Sequence, residues 1–133
     1  MTLYLCWVAF AESLEGKVPQ ALETIESALQ ANPLELTWRP EVLRTRGELR
    51  RRVGQSEEAE ADFREAIALA QKISAKAWEL RATMSLARLV GEAGRRDEGS
   101  AILSGIYNWF TEGFDTVDLK EAKALLGELS SLR

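Results

Sequence analysis

The sequence predicts an all-α solenoid of about three stacked helix pairs followed by a C-terminal capping helix. The 133 residues include only three prolines, and long stretches are rich in the helix-favouring residues Ala, Leu, Glu and Arg. The sequence contains no period-two run of β-branched residues and no Asn-Gly or Asp-Gly turn, so it does not predict paired strands. One pattern of small and large apolar residues occurs three times, at periods of 38 and then 40 residues. Periods of this length are typical of stacked helical repeats.

Each copy of the pattern starts at a glycine and places apolar residues five, nine and twelve positions later. The three copies are Gly16 with Ala21, Ile25 and Ala28; Gly54 with Ala59, Phe63 and Ala66; and Gly94 with Gly99, Leu103 and Ile106. Small residues let two helix backbones approach closely, and the large residue fills the space between layers. Because one helix pair cannot bury its apolar face alone, stacking is expected to build one continuous core.

The first three helices are predicted from their stop and start signals. The first covers residues 2–15 and ends at Gly16, where glycine adopts a left-handed cap without steric cost. The second covers residues 18–31 and stops before Asn32 and Pro33, because a residue that precedes proline avoids the helical region. The third starts at Pro40, which suits a first turn, and ends before Gly54.

Four further helices follow. Ser56 is expected to cap the fourth, whose first turn carries carboxylates that favour the positive end of the helix dipole. The fifth covers residues 75–93, the sixth runs from Asp97 to about Thr111, and the capping helix covers residues 117–131. We therefore predict one domain over residues 1–133, with repeats at 2–33, 40–74 and 75–111.

These residues resemble the tetratricopeptide repeat, in which a small residue, a turn glycine and an Ala-large-Ala series mark two antiparallel helices. The match reads Ala9, Gly16, Ala21, Ile25, Ala28; Gly47, Gly54, Ala59, Phe63, Ala66; and Ala87, Gly94, Gly99, Leu103, Ile106. The resemblance implies a right-handed solenoid that binds proteins or peptides. The chain departs from the common pattern at Arg46 and Arg50, where apolar residues are usual, and at Ile106, where alanine is usual.

Two stretches are similar to the C-terminal end of bacterial signalling proteins that join a nucleotide cyclase or DNA-binding region to a predicted ATPase. They are residues 41–49 and residues 109–122. In those proteins this end is a repeat arm without catalytic residues. The resemblance implies that the chain is the repeat arm of a larger signalling protein.

Catalysis and metal binding are not expected. The chain has no histidine, and its single cysteine, Cys6, lies among apolar neighbours, so the commonest metal ligand, general base and nucleophile-base pair are missing. Asp118 and Glu121 have the spacing of a capping box, and Asp115 or Thr116 can cap the same helix, so these carboxylates are interpreted as caps. We predict no enzyme activity, no catalytic residue, no metal and no cofactor.

A basic strip is the candidate partner-binding face. Residues 39–52 contain six arginines and two glutamates in a chain of net charge −4. The resemblance places the first helix of each pair on the concave face, which makes the candidate residues Arg44, Glu48, Arg51, Arg52, Arg81 and Arg88. The alternative is a solvated face on which Arg44 and Arg52 pair with Glu48, and Arg88 pairs with Glu92, at helical spacing.

The N-terminal helix is predicted to carry a self-association face, because Leu3, Trp7, Phe10 and Leu14 form an apolar surface. Earlier repeats or a second copy of the chain would cover it, and a homodimer is the commonest arrangement. The apolar run is too short to cross a membrane, and no basic residue precedes it as in a secretion signal, so a cytoplasmic location is favoured.

The leading function is therefore a protein-interaction scaffold that binds a protein segment on the arginine-rich face. The alternative is a nucleic-acid-binding or regulatory module that uses the same strip. A pI of about 5.0 and few aromatic residues on that face count against nucleic acid.

Overall fold

The computed structural model describes residues 16–31, 38–113 and 116–131, and these residues form six α-helices and no strand. The helices are α1 Val18–Ala31, α2 Arg39–Arg52, α3 Ser56–Lys72, α4 Lys76–Glu92, α5 Arg96–Tyr107 and α6 Val117–Ser131. The predicted all-α solenoid is confirmed. The predicted first helix, with the self-association residues Leu3, Trp7, Phe10 and Leu14, lies outside the described residues.

The helices form two layers. Each helix packs against the next along the chain, and α4 also packs against both α2 and α6. We call α2, α4 and α6 the inner layer and α1, α3 and α5 the outer layer. In the described part of the chain, the backbones of α3 and α5 do not pack against each other. The two layers therefore differ in how closely neighbouring repeats approach.

Three turns of the same kind join α2 to α5. Gly54 and Gly94 adopt positive φ angles of 84° and 86°. After each glycine, the next amide donates to a carbonyl five residues earlier, from Gln55 to Arg50 at 2.9 Å and from Arg95 to Val90 at 2.8 Å. The third turn has the same hydrogen bond, from Ala75 to Ala70 at 2.8 Å, but Ser74 holds the positive φ of 57°.

We expect Ser74→Gly to raise the free energy of unfolding by about 0.5 to 1 kcal/mol, because a left-handed conformation strains every residue except glycine. Urea unfolding followed by circular dichroism measures this change. Gly54→Ser is the matched control and should lower the free energy of unfolding. A loss of stability in Ser74→Gly would contradict the strain argument.

Two predicted helix boundaries are wrong, the start of α3 and the end of α5, because the chain turns at residues other than those expected. Ser56 does not cap α3: Gln55 precedes the helix, and no side chain makes a capping hydrogen bond there. The turn at Gly54 leaves one residue before α3 begins, and that residue is Gln55. The predicted sixth helix also ends early, since α5 stops at Tyr107 and the amides of Trp109 and Phe110 donate to carbonyls three residues earlier.

The core follows the repeated pattern. Phe63 is fully buried, and a Cβ atom placed on Gly47 would lie 2.5 Å from its ring. In the next repeat, a Cβ on Gly99 would lie 3.0 Å from the carbonyl oxygen of Ala87. Glycine at both positions therefore allows the close helix contact that the sequence pattern predicts. The side chain of Ala28 lies outside the described residues.

Helix α6 closes the core. Leu119, Ala122, Leu125 and Leu129 are buried in one cluster with Leu80, Met84 and Leu103. Tyr107 and Phe110 pack against the same cluster. None of the helices seen in the described residues is long and apolar enough to span a bilayer.

A buried ion cluster explains the arginines at two positions where apolar residues are usual. Asp62 is only 2% exposed. It accepts hydrogen bonds from Arg46 Nη2 at 2.7 Å and from Arg50 Nη1 at 3.0 Å. Arg46 also donates to Glu26 Oε1 at 2.7 Å, so the cluster joins α1, α2 and α3. Burial alone lowers the pKa of Arg46, but Asp62 and Glu26 raise it above its ordinary value, and the residue stays charged.

A second ion network links α3 and α5 on the outer layer. Glu60 accepts from Arg95 Nη2 at 2.6 Å and from Arg64 Nη2 at 2.9 Å. Glu98 accepts from the same two arginines at 3.1 and 3.0 Å. Its four side chains connect two helices whose backbones do not pack together.

We expect this network to add stability at neutral pH and to lose it in acid. The hydrogen bond from Arg95 lowers the pKa of Glu60 below its ordinary value of 4.5, burial opposes this effect, and Arg64 lowers the pKa further. A carboxylate with a depressed pKa in the folded state stabilises the fold above its ordinary pKa, and this contribution disappears as the pH falls through the folded value. Glu60→Gln should therefore lower Tm near neutral pH and lower it by less at about pH 3. Thermal unfolding at the two pH values tests this, with the exposed Glu57→Gln as the control; an equal loss at both pH values would contradict it.

Candidate functional site

The inner helices α2 and α4 position the predicted partner-binding residues. In α2, Val42, Leu43, Gly47 and Leu49 face the core. Because a helix repeats every 3.6 residues, Arg44, Glu48, Arg51 and Arg52 lie on its other face. Arg46 and Arg50 lie on the core side, where they form the buried ion cluster. The predicted face therefore follows directly from the apolar stripe of α2.

Five of the six predicted residues line one groove between α2 and α4. The groove has a volume of about 450 Å³. We call it the inner groove, and it is lined by Arg44, Thr45, Glu48, Leu49, Arg51, Arg52 and Arg88. Arg81, the sixth predicted residue, is not among the lining residues. The structure thus brings together four arginines and one carboxylate from two repeats.

Arg44 and Arg81 share the carboxylate of Glu41. Arg44 makes two hydrogen bonds to Glu41, with Nη2 to Oε1 at 2.6 Å and Nε to Oε2 at 3.0 Å, and Arg81 Nη1 lies 3.0 Å from Oε1. Arg44 Nη1 also lies 3.4 Å from the buried Ser85 Oγ. The guanidinium of Arg81 stacks over Trp78, 5.7 Å from its ring centroid. Arg81 therefore belongs to a neighbouring cluster with Glu41 and Arg44, which links α4 to α2.

Arg51 and Arg88 pair with carboxylates from other helices. Arg51 donates to Glu48 at 3.1 Å and to Glu92 on α4 at 3.2 Å. Arg88 lies 3.8 Å from Glu121 on α6. The alternative pairing of Arg88 with Glu92 at helical spacing is therefore wrong, because the packing of inner helices brings Glu121 within reach of Arg88 and turns Glu92 toward Arg51. Arg51 and Arg88 are therefore not held only within their own helices.

The charge of Arg51 is permanent. Burial alone lowers the pKa of Arg51, but the charges and hydrogen bonds of Glu48 and Glu92 raise it above the ordinary arginine value. The guanidinium is therefore protonated at every physiological pH. Binding at the inner groove should not depend on the titration of Arg51.

Asp118 and Glu121, interpreted as helix caps from the sequence, have another role, and Asp115 lies outside the described residues. Asp118 lies 4.0 Å from Arg81, and Glu121 reaches Arg88. Thr116 takes the capping position of α6, with its Oγ1 3.5 Å from the amide of Leu119. Within the described residues, no three metal-binding side chains gather at one place. The last helix thus supplies acidic groups to the inner layer.

Two solved structures with a similar fold contain TPR-like repeats. A Podosopora anserina protein described as a kinesin light chain with nearly identical TPR-like repeats has a TM-score of 0.75 and 19% sequence identity, and a variant of it has 0.78 and 20%. Both comparisons cover 98% of this chain, which spans 65% of the length of each. This chain has a TPR-like fold. No family model and no curated protein sequence matches it.

Proposed function

We propose that this chain is a non-enzymatic scaffold that binds an acidic segment of a protein partner in the inner groove. The observation that carries the proposal is the lining of the groove, which has four arginines and one glutamate although the whole chain has a net charge of −4. TPR-like repeats are protein-interaction folds in general. A concentration of one charge in a concave site attracts a partner of opposite charge.

Arg88 is well placed to contact a partner. Its side chain is 39% exposed, and its ion pair with Glu121 is long at 3.8 Å. Arg51, by contrast, is held between Glu48 on α2 and Glu92 on α4. It therefore links the two helices that form the groove, in addition to lining it. An incoming carboxylate would gain a bidentate hydrogen bond from Arg88 at little cost to the existing pairs.

A protein segment fits this surface better than nucleic acid. Arg51, Arg81 and Arg88 each have a carboxylate within 4.0 Å. A phosphate backbone that follows the groove would meet these carboxylates, and their repulsion would offset the contacts with arginine. Separate carboxylates on a peptide can avoid them.

We expect Arg88→Glu to weaken the binding of an acidic peptide about tenfold and to leave folding unchanged. The probe is a labelled peptide of about 12 residues with alternating Glu and Leu, measured by fluorescence anisotropy, beside a version with Lys in place of Glu. Arg96→Glu in the outer layer makes the same change in charge and is the control. Equal binding of the acidic and basic peptides would contradict the proposal, and a labelled single-stranded DNA of similar length tests the nucleic-acid alternative through its steeper loss of affinity with salt.

The wider context of the chain stays a prediction. The two stretches at residues 41–49 and 109–122 support its assignment as the repeat arm of a larger bacterial signalling protein in the cytoplasm. The apolar residues Leu3, Trp7, Phe10 and Leu14 support a homodimer through the N-terminal segment. Light scattering on the intact chain tests the second prediction.

A further inference from the structure

The ion pairs that join the inner helices are not equally close. Between α2 and α4, Arg51 Nη1 lies 3.2 Å from Glu92 Oε1. Between α4 and α6, Arg88 Nη2 lies 3.8 Å from Glu121 Oε2. The first distance allows a hydrogen bond and the second does not. Helix α6 therefore holds the groove arginine of α4 less closely than α4 holds the groove arginine of α2.

Arg88 has one carboxylate partner in the described part of the chain, and that partner is Glu121. Arg51, in comparison, contacts Glu48 and Glu92 at the same time. The side chains of Arg88 and Glu121 are 39% and 53% exposed. An ion pair this exposed contributes little to stability, because water screens both charges. A partner that binds Arg88 can therefore break the pair without unfolding the chain.

Glu121 does not help to hold α6 in place. The side chains that bury this helix are those of Leu119, Ala122, Leu125 and Leu129. The positions three and four residues from Glu121, where a helical ion pair would form, are Val117, Asp118, Ala124 and Leu125. None of them is basic, and Asp118 carries the same charge as Glu121. The carboxylate of Glu121 can therefore be removed without loss of an ion pair inside α6.

From this arrangement, we infer that Glu121 limits the affinity of the inner groove for acidic segments, because it competes with them for Arg88. The inference rests on the function proposed above. A partner carboxylate that binds Arg88 must displace Glu121 or lie beside it, and two carboxylates at one guanidinium repel each other. Glu121 is not among the residues that line the groove, so it acts through Arg88. The last helix thus tunes a groove that the two preceding inner helices form.

Two matched substitutions in α6 test the inference. Glu121→Gln and Asp118→Asn each remove one carboxylate and keep the shape of the side chain. The two carboxylates lie 3.8 and 4.0 Å from arginines of α4. Arg88, the partner of Glu121, lines the inner groove, whereas Arg81, the partner of Asp118, does not. The variants therefore have the same net charge and differ in which arginine they release.

The probe is the acidic Glu and Leu peptide described above, measured by fluorescence anisotropy beside a version with Gln in place of Glu. Glu121→Gln should bind the acidic peptide about fivefold more tightly than the unmodified chain, and Asp118→Asn should stay within about twofold of it. In the Arg88→Gln background, Glu121→Gln should have no effect, because the arginine for which the carboxylates compete is absent. The Gln version of the peptide should not distinguish Glu121→Gln from the unmodified chain.

The inference is overturned if Glu121→Gln binds the acidic peptide no more tightly than Asp118→Asn does. A gain that persists in the Arg88→Gln background also overturns it, since the cause would then be the overall charge. A purely structural role for Glu121 would lower Tm without raising affinity. The proposed function fails in a different way: the unmodified chain would then bind acidic and basic peptides equally, and both proposals would be wrong. If the unmodified chain prefers the acidic peptide but Glu121→Gln gives no gain, only the competition by Glu121 is wrong.

Discussion

Phe63→Ala is expected to lower the free energy of unfolding by about 3 to 5 kcal/mol. Phe63 is fully buried in a cluster with Ala59, Leu86 and Val90, and it lies at the contact between α2 and α3. Truncation removes apolar surface from the core and leaves a cavity that close-packed helices cannot fill. Urea unfolding followed by circular dichroism measures the loss. Val53→Ala, at a position that is 44% exposed, is the control and should change stability little.

A second substitution tests the packing between Phe63 and Gly47 directly. Gly47→Ala alone should destabilise the protein, because its Cβ would lie 2.5 Å from the Phe63 ring. In the Phe63→Ala background that contact is absent, so Gly47→Ala should become neutral or stabilising, as alanine favours helix. Unchanged stability in Phe63→Ala, or equal effects of Gly47→Ala in both backgrounds, would show that the proposed repeat register is wrong.

Asp62→Ala is expected to lower the free energy of unfolding by about 2 to 4 kcal/mol, because it leaves two partly buried guanidinium groups without their main partner. Arg46 would keep Glu26 at 2.7 Å, and Arg50 would keep only the longer contact with Glu26 at 3.7 Å. The expected loss of stability is smaller than that for a fully buried ion pair, because the side chains of Arg46 and Arg50 are 15% and 25% exposed. Equilibrium unfolding in urea gives the magnitude.

A further set of substitutions separates the effect of the unpaired charges from the effect of lost packing. Replacing the cluster together, with Asp62→Leu, Arg46→Met and Arg50→Leu, should recover most of the stability, since an apolar replacement of a buried ion group is often neutral. Asp62→Asn keeps one hydrogen-bond acceptor and should fall between the wild type and Asp62→Ala. If the triple change is as destabilising as Asp62→Ala, the cost arises from packing and the unpaired charges are not its cause.

The helix pattern was predictable from local features, and the inner groove was predictable in part. The spacing from Gly54 to Phe63 depends on one turn and one helix, and the structure has both where the pattern expects them. The arginine-rich side of α2 follows from its apolar stripe. Sequence reasoning missed Asp62, although a charged residue beside Phe63 on a buried face, opposite arginines at unusual positions, is a signal that could have indicated it.

By itself, the sequence determined the helical class, the repeat period and the small residues at close helix contacts, because these depend on spacing within one helix or turn. Only the tertiary structure decided which carboxylates hold the arginines. Arg46 and Asp62 are 16 residues apart in the chain, and Arg51 and Glu92 are 41 apart. The tertiary structure also decided that the backbones of α3 and α5 stay apart. These features depend on how neighbouring helices lie against each other, and spacing along one helix carries no information about that arrangement.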